Sequence, residues 1–385
     1  MFSRAPKEEE ESRAPKGRGR TMLSGVLALL ILAGVVYAVA FSNLFSVVYE
    51  RAVADASAPT WPAMLDKNAY NAKMLALAHY TDPPIASTTP DASSTPPILP
   101  LATATTSVSL AGSLWPHGTT YPEGGAILPF KRIVAYYGNF YSKQMGVLGE
   151  YPEDEVLAKL ASTTAMWAAA DPTTPTIPAI QYIAVAAQGN AGKDGMWRLR
   201  MPDDQIEQAL SMANQLHGLL ILDVQVGKST LQSELPPLEK WLKLPNVELA
   251  IDPEFSMKYG NAPGTVIGTF DAKDINYAAS FLANIVQENK LAPKVLVVHR
   301  FTYDMVTNPQ NIAPLPEVEV VMDMDGWGEP AKKFNTYKRV VAPFPVQFTG
   351  MKLFYHADLR PPSTRMLTPQ EVLGLTPAPI YIQYQ

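Results

Sequence analysis

The chain contains no cysteine, so a disulfide framework, a thiolate metal site and a lipid-modified cysteine are all excluded, and any folded domain must rest on its own core. Histidine is scarce, with five residues, which makes a multi-histidine zinc site hard to assemble. A basic stripe is missing too. The formal charge is −5 and nearly balanced beyond the first twenty residues, which argues against a nucleic-acid partner. No solenoid-period repeat is present, and no motif calls for a cofactor or a resident metal, so none is expected.

What the sequence does have begins with a charged tail. Residues 1–20 mix Arg4, Lys7, Arg13, Lys16, Arg18 and Arg20 with the acidic run Glu8 to Glu11 and read as solvated. Met22–Phe41 then forms an uncharged apolar stretch of about 20 residues, enough to cross a hydrocarbon core of ~30 Å. Lys16, Arg18 and Arg20 precede it, and only Glu50 and Arg51 follow closely. The positive-inside bias therefore puts the N-terminus in the cytoplasm and the rest of the chain outside, anchored in the cell membrane by a single pass. A cleaved signal peptide is the alternative, since Ala38-Val39-Ala40 fits a small-x-small cleavage pattern. Both readings export the remainder.

Residues 43–128 are rich in Pro, Ser, Thr and Ala and read as a disordered linker, with helical continuations expected around Phe45–Ala54 and around Met64–Tyr80. The apolar positions of the second are Met64, Ala72, Leu75 and Leu77.

From residue 129 to 385 apolar, β-branched runs alternate with helical stretches: Ile133–Tyr136, Ile180–Ala187, Leu219–Leu222, Val247–Ile251, Val295–Val298, Val318–Met322, Met351–Tyr355 and Ile380–Ile382. Helices are expected over Asp203–Leu216 and over Asp274–Lys290, the latter capped by Asp274, and Thr368-Pro369-Gln370-Glu371 reads as a capping box. Eight strands with intervening helices over about 250 residues predict a (β/α)8 TIM-like barrel. An open doubly wound sheet is the alternative, although Tyr137-Gly138-Asn139-Phe140 stands where that fold places a Gly-rich phosphate loop. Val266–Phe270 is a further candidate strand.

A barrel carries its chemistry at the carboxyl ends of its strands, and those ends are polar here. They read Asp223-Val224-Gln225, Asp252-Pro253-Glu254, His299-Arg300, Asp323-Met324-Asp325-Gly326-Trp327, Tyr355-His356-Ala357-Asp358 and Gln383-Tyr384-Gln385. Alternation puts Asp252 with Glu254, and Asp323 with Asp325, on one face each. Crowded carboxylates divide into one that keeps its proton and one that does not, the division glycoside hydrolysis needs. Tyr136, Trp327 and Tyr355 are candidate sugar-packing aromatics. The remaining substrate-binding candidates are Asp223, Gln225, His299, Arg300, Asp358 and Gln383.

Asp252-Pro253-Glu254 at the end of strand four, with Met322-Asp323-Met324-Asp325 two strands later, resembles the chitinase-type glycoside hydrolases. The first motif also resembles the barrel lysozymes that cleave cell-wall glycan. As a whole, the exported domain is similar to an uncharacterised bacterial family of membrane-anchored, hydrolase-like TIM barrels. The resemblance implies Glu254 as general acid, Asp252 as the carboxyl that orients the substrate's N-acetyl group, and Asp323 or Asp325 as supporting carboxylates. It departs from the chitinase pattern where Val247-Glu248-Leu249-Ala250-Ile251 replaces a longer acidic run, and where no tyrosine stands beside Asp323. Three functions follow: a hydrolase of a cell-envelope or environmental glycan, a glycan-binding barrel without catalysis, and a metal-dependent hydrolase using Asp223, Asp252, His299 and Asp323.

Overall fold

A computed structural model describes residues 64–79 and 120–385. Eight parallel strands close into a barrel: β1 (Arg132–Gly138), β2 (Thr176–Ala187), β4 (Leu219–Val224), β5 (Val247–Ile251), β7 (Lys294–Arg300), β9 (Val318–Met324), β10 (Phe348–Leu353) and β11 (Tyr381–Tyr384). Parallel pairing of β1 with both β2 and β11 makes the closure, which rules out the open sheet. Antiparallel β3 (Arg198–Arg200) is added to β2, and β6 (Phe270–Asp271) pairs with β8 (Val306–Thr307) outside the barrel. The eight apolar runs are the eight barrel strands. Only Phe270, the last residue of Val266–Phe270, and its successor Asp271 form strand, as β6.

β10 starts three residues earlier than its apolar run, because Thr349 and Gly350 interrupt the hydrophobic pattern. Gly350 is there for room. A Cβ at that position would lie 2.6 Å from Asp323 Oδ1 and 2.7 Å from Tyr381 Cδ1.

The intervening helices pack on the outer face. Helix α3 (Asp203–Gln215) buries Ile206, Ala209, Met212 and Ala213. Helix α4 (Ala272–Asn289) is capped by Asp271 and not by Asp274; Asp274 is the third helical residue and accepts the Asp271 N–H, completing a capping box. The Thr368 box forms as expected, with Pro369 at the first helical position. Helix α2 (Glu153–Ala170) buries Val156, Leu160, Thr163 and Trp167.

Within the stretch that reads as linker, α1 (Lys67–Leu77) is ordered and has a partner. Asp66 caps it by accepting the N–H groups of Asn68 and Ala69. Its buried residues are Tyr70, Met74 and Leu77, at i, i+4 and i+7, whereas Met64 and Leu75 are exposed. They join Leu128, Ile133, Ala135, Ile221, Ala250, Val297 and Val321 in one cluster that fills the barrel interior. The Ala378 N–H donates to Leu77 O at 2.7 Å, tying the helix to the segment before β11. Met22–Phe41 and Phe45–Ala54 lie outside the described residues. Among the described residues no helix is long and apolar enough to cross a membrane.

Because Met74 is 3% exposed, Met74→Ala should destabilise the domain by about 2–5 kcal/mol, read from the denaturation midpoint. A loss well under 1 kcal/mol would show that α1 is not part of the folded unit.

Candidate functional site

Side chains alternate across a strand, so each barrel strand sends every second residue inward. Above the apolar interior this alternation gathers Gln181, Asp223, His299, Asp323, Tyr381 and Gln383 into a fully buried polar layer. His299 stands at its centre. Nε2 lies 2.8 Å from Asp223 Oδ2, and Nδ1 lies 3.2 Å from Asp323 Oδ2 and 3.4 Å from Asp325 Oδ2. Burial disfavours the imidazolium, but Asp223 and Asp325 outweigh it and hold the histidine pKa well above its ordinary value. These carboxylates favour the imidazolium, in which both ring nitrogens donate to them. Gln181 Nε2 donates to Asp223 Oδ2 at 2.7 Å, its Oε1 accepts from the Tyr381 hydroxyl, and Gln383 Nε2 donates to that hydroxyl at 3.1 Å.

One layer higher lies a cavity of about 780 Å3, lined among others by Tyr137, Gln225, Asp252, Glu254, Asp325, Trp327 and Lys352. Phe255, Phe301 and Phe354 give it apolar walls. Asp325 Oδ1 pairs with Lys352 Nζ at 2.9 Å, so its carboxylate is gripped by Lys352 on one side and faces His299 on the other. Lys352 Nζ also sits 3.9 Å from the centre of the Tyr137 ring. Asp252 Oδ1 accepts the Glu254 N–H at 2.9 Å, the local turn that turns Glu254 into the cavity. Gln225 Nε2 contacts Asp252 Oδ2 at 3.4 Å and the Tyr137 hydroxyl at 3.2 Å, and its Oε1 accepts the Ala187 N–H.

Burial, and then the Asp325 charge, push the Glu254 carboxyl up to about 7, against the opposing pull of Lys352 and His299. Burial also raises Asp252 well above the usual carboxylate range; His299 opposes, while Glu254, Asp223 and Asp325 reinforce it. Near neutral pH the cavity thus combines a carboxyl poised to give up a proton with the ion-paired carboxylate Asp325. That is the division needed for acid-assisted cleavage of an acetal.

Of the nine residues expected to bind substrate, Asp223, His299 and Gln383 lie in the buried layer below the cavity and four more lie outside the barrel interior. Tyr136 and Tyr355 point away from the barrel axis; their hydroxyls bond each other at 2.9 Å, and Tyr136 also reaches Thr163 of α2. Their neighbours Tyr137 and Phe354 hold the inward positions, one residue out of phase. Arg300 turns outward to the carbonyls of Thr302, Tyr303 and Val306. Asp358 is buried against Lys333 and two backbone N–H groups. Asp323, expected to be catalytic, lies with Asp223 and Gln383 in the layer below the cavity. Glu254, Asp252, Asp325, Gln225 and Trp327 line the cavity. Sequence reasoning missed Tyr137, Gln181, Lys352 and Tyr381. A polar residue inside a wholly buried apolar strand, as Gln181 and Lys352 are, is the signal that marks them. In the metal-ligand reading both His299 nitrogens are already committed to carboxylates, and among the described residues no group of three or more His, Asp or Glu is arranged to hold a metal ion.

The neighbours of Glu254 act on it with opposite signs. Asp325→Asn removes an anion and should lower the Glu254 pKa from about 7 toward its usual range, while Lys352→Met removes a cation and should raise it. Titration of the carboxyl carbon by NMR reads both, and shifts in the same direction would contradict the electrostatic account.

No protein-family model matches the chain, and comparison with curated proteins found no match.

Proposed function

We propose that this chain is a membrane-anchored, extracytoplasmic glycoside hydrolase of TIM-barrel fold acting on a glycan that contains N-acetylhexosamine. The observation that carries the reading is Glu254, held at a pKa of about 7 in the wall of a cavity large enough for a sugar ring. A general acid works best when its pKa is near the working pH. Glu254 would protonate the departing glycosidic oxygen, and the developing positive charge on the sugar would face the Asp325 carboxylate held by Lys352. Burial pushes the Asp252 carboxyl well above the usual carboxylate range, which favours the protonated form that could hydrogen-bond the acetamide, the role the resemblance gives it. The His299 layer below supports these carboxyls without facing the cavity.

Membrane attachment rests on the Met22–Phe41 run and the cations that precede it, which make the lipid bilayer a second partner and place the barrel outside the cell. A glycan-binding barrel without catalysis is the alternative. Met322 and Met324 flank Asp323 where the chitinase pattern has a tyrosine, and both methionines pack in the outer core.

One experiment addresses both chemistry and placement. Intact cells given a membrane-impermeant chromogenic chitobioside should release product, and protease added outside should abolish that release. Glu254→Gln should lower turnover by about 10²–10⁴-fold with binding retained, and wild-type activity should fall as pH rises past about 7. Unchanged turnover in Glu254→Gln would remove Glu254 from the chemistry, binding without product in the wild type would favour the non-catalytic barrel, and activity seen only after lysis would reverse the topology.

A further inference from the structure

The rim of the cavity carries a feature that proton transfer at Glu254 does not use. Trp327, at the end of β9, is 46% exposed, and its ring contacts two cations. Lys332 Nζ lies 4.5 Å from the ring centre and Arg360 Cζ lies 5.3 Å from it. Lys332 lines the cavity beside Trp327. Among the described residues neither cation forms an ion pair with a carboxylate, including the neighbouring Glu329.

The mounting beneath this trio is rigid. Lys333 and Asp358 form an ion pair at 2.9 Å with side chains 1% and 0% exposed. Lys333 Nζ donates to Gly326 O at 3.0 Å and Lys352 O at 2.7 Å. Asp358 accepts the Gly328 N–H at 2.8 Å and the Phe354 N–H at 3.0 Å. The pair therefore fixes the backbone on both sides of Trp327 and locks the β9 loop to the segment that carries Arg360. A buried pair of this kind fixes geometry more than it adds stability, and what it fixes here is the backbone that carries Trp327, Lys332 and Arg360.

The charge pattern is graded. The cations deeper in the barrel are spent, His299 on Asp223, Asp323 and Asp325, and Lys352 on Asp325. At that depth Asp223, Asp323 and Asp325 already occupy both cations. An anionic group on a substrate therefore gains no pairing there and is attracted to the rim, where the guanidinium fork of Arg360 suits a carboxylate and Lys332 adds a point charge. The Trp327 ring orders these cations, which is a different role from offering a sugar a free face.

We propose that Trp327, Lys332 and Arg360 form a subsite for a carboxylate carried by the glycan, so that the substrate class is an acidic polymer of N-acetylhexosamine. The proposal rests on the glycan reading above. The full-length chain carrying Glu254→Gln, in which turnover should be lowered by about 10²–10⁴-fold, provides the test. Its binding is measured by calorimetry with hyaluronan oligosaccharides, which alternate N-acetylglucosamine with a uronate, and with chito-oligosaccharides of equal length, which are neutral.

The acidic oligosaccharide should bind at least about 10-fold more tightly, and added salt should reduce the difference. Adding Lys332→Gln and Arg360→Gln should weaken binding of the acidic ligand by about 10–100-fold and leave the neutral one within about twofold. An unchanged melting temperature shows that the fold is kept, and Lys332→Arg with Arg360→Lys should retain the preference. A glycan strand carrying muramic acid separates the two sources of carboxylate: tighter binding than hyaluronan assigns the subsite to an ether-linked lactate, weaker binding to a ring uronate. Equal affinity for acidic and neutral ligands, or no effect of the double substitution, overturns the subsite and leaves the glycan reading standing. Failure of every oligosaccharide to bind overturns both.

Discussion

A histidine cation in the middle of a barrel is tolerable only while carboxylates surround it, and the site is organised around meeting that demand at His299. Asp223, Asp323 and Asp325 come from two different strands, so the ion cluster sets the relative position of β4 and β9 as well as that of β7. Loss of one partner would strand a buried charge, a cost of about 3–5 kcal/mol. Other residues accommodate the cluster. Gly350 leaves space for Asp323 and Tyr381, and Gln181 links Asp223 to the Tyr381 hydroxyl. Gln383 then fills the remaining side of that hydroxyl.

The two ends of the barrel have opposite tasks. At the amino ends of the strands, α1 and the apolar cluster under it close the interior, and the buried Glu319 carboxyl accepts the N–H groups of Ile127 and Leu128 as the chain enters β1. At the carboxyl ends the interior becomes polar by layers, first the histidine layer, then the cavity with Asp252, Asp325 and Lys352, then the rim. Each step up meets more water and needs fewer internal partners. Glu254 sits where desolvation still holds its carboxyl near neutrality while ligand can still reach it.

Much of this was legible in the sequence. The β-branched runs define the barrel because parallel strands buried on both faces must be apolar throughout. Alternation puts Asp323 and Asp325 on one face, although Asp323 lies one layer too deep to meet a ligand, whereas Asp252 and Glu254 reach the cavity through the turn that follows β5 and not through alternation. The failures have equally definite causes. Tyr136 was preferred to Tyr137, and Tyr355 to Phe354, because in a strand with no polar side to betray its orientation a one-residue error in phase is invisible. Lys352 was hidden in an apolar run, and only the pairing with Asp325 across β9 and β10 explains it. Arg300 and Asp358 are polar at strand ends for reasons internal to the loops they brace. Of the buried residues of α1 the sequence reading has Leu77 but not Tyr70 or Met74, because the surface they cover exists only once the barrel has closed.

The central claim is that the layered charges place a proton donor, Glu254, where a glycosidic bond lies. A crystal structure of the Glu254→Gln protein with a bound N-acetylglucosamine oligomer tests it most directly. The account predicts a sugar ring seated in the cavity with a glycosidic oxygen about 2.6–3.2 Å from the side chain at position 254 and its acetamide toward Asp252. An oligomer bound with every glycosidic oxygen beyond reach of position 254, or bound away from this cavity, would contradict it.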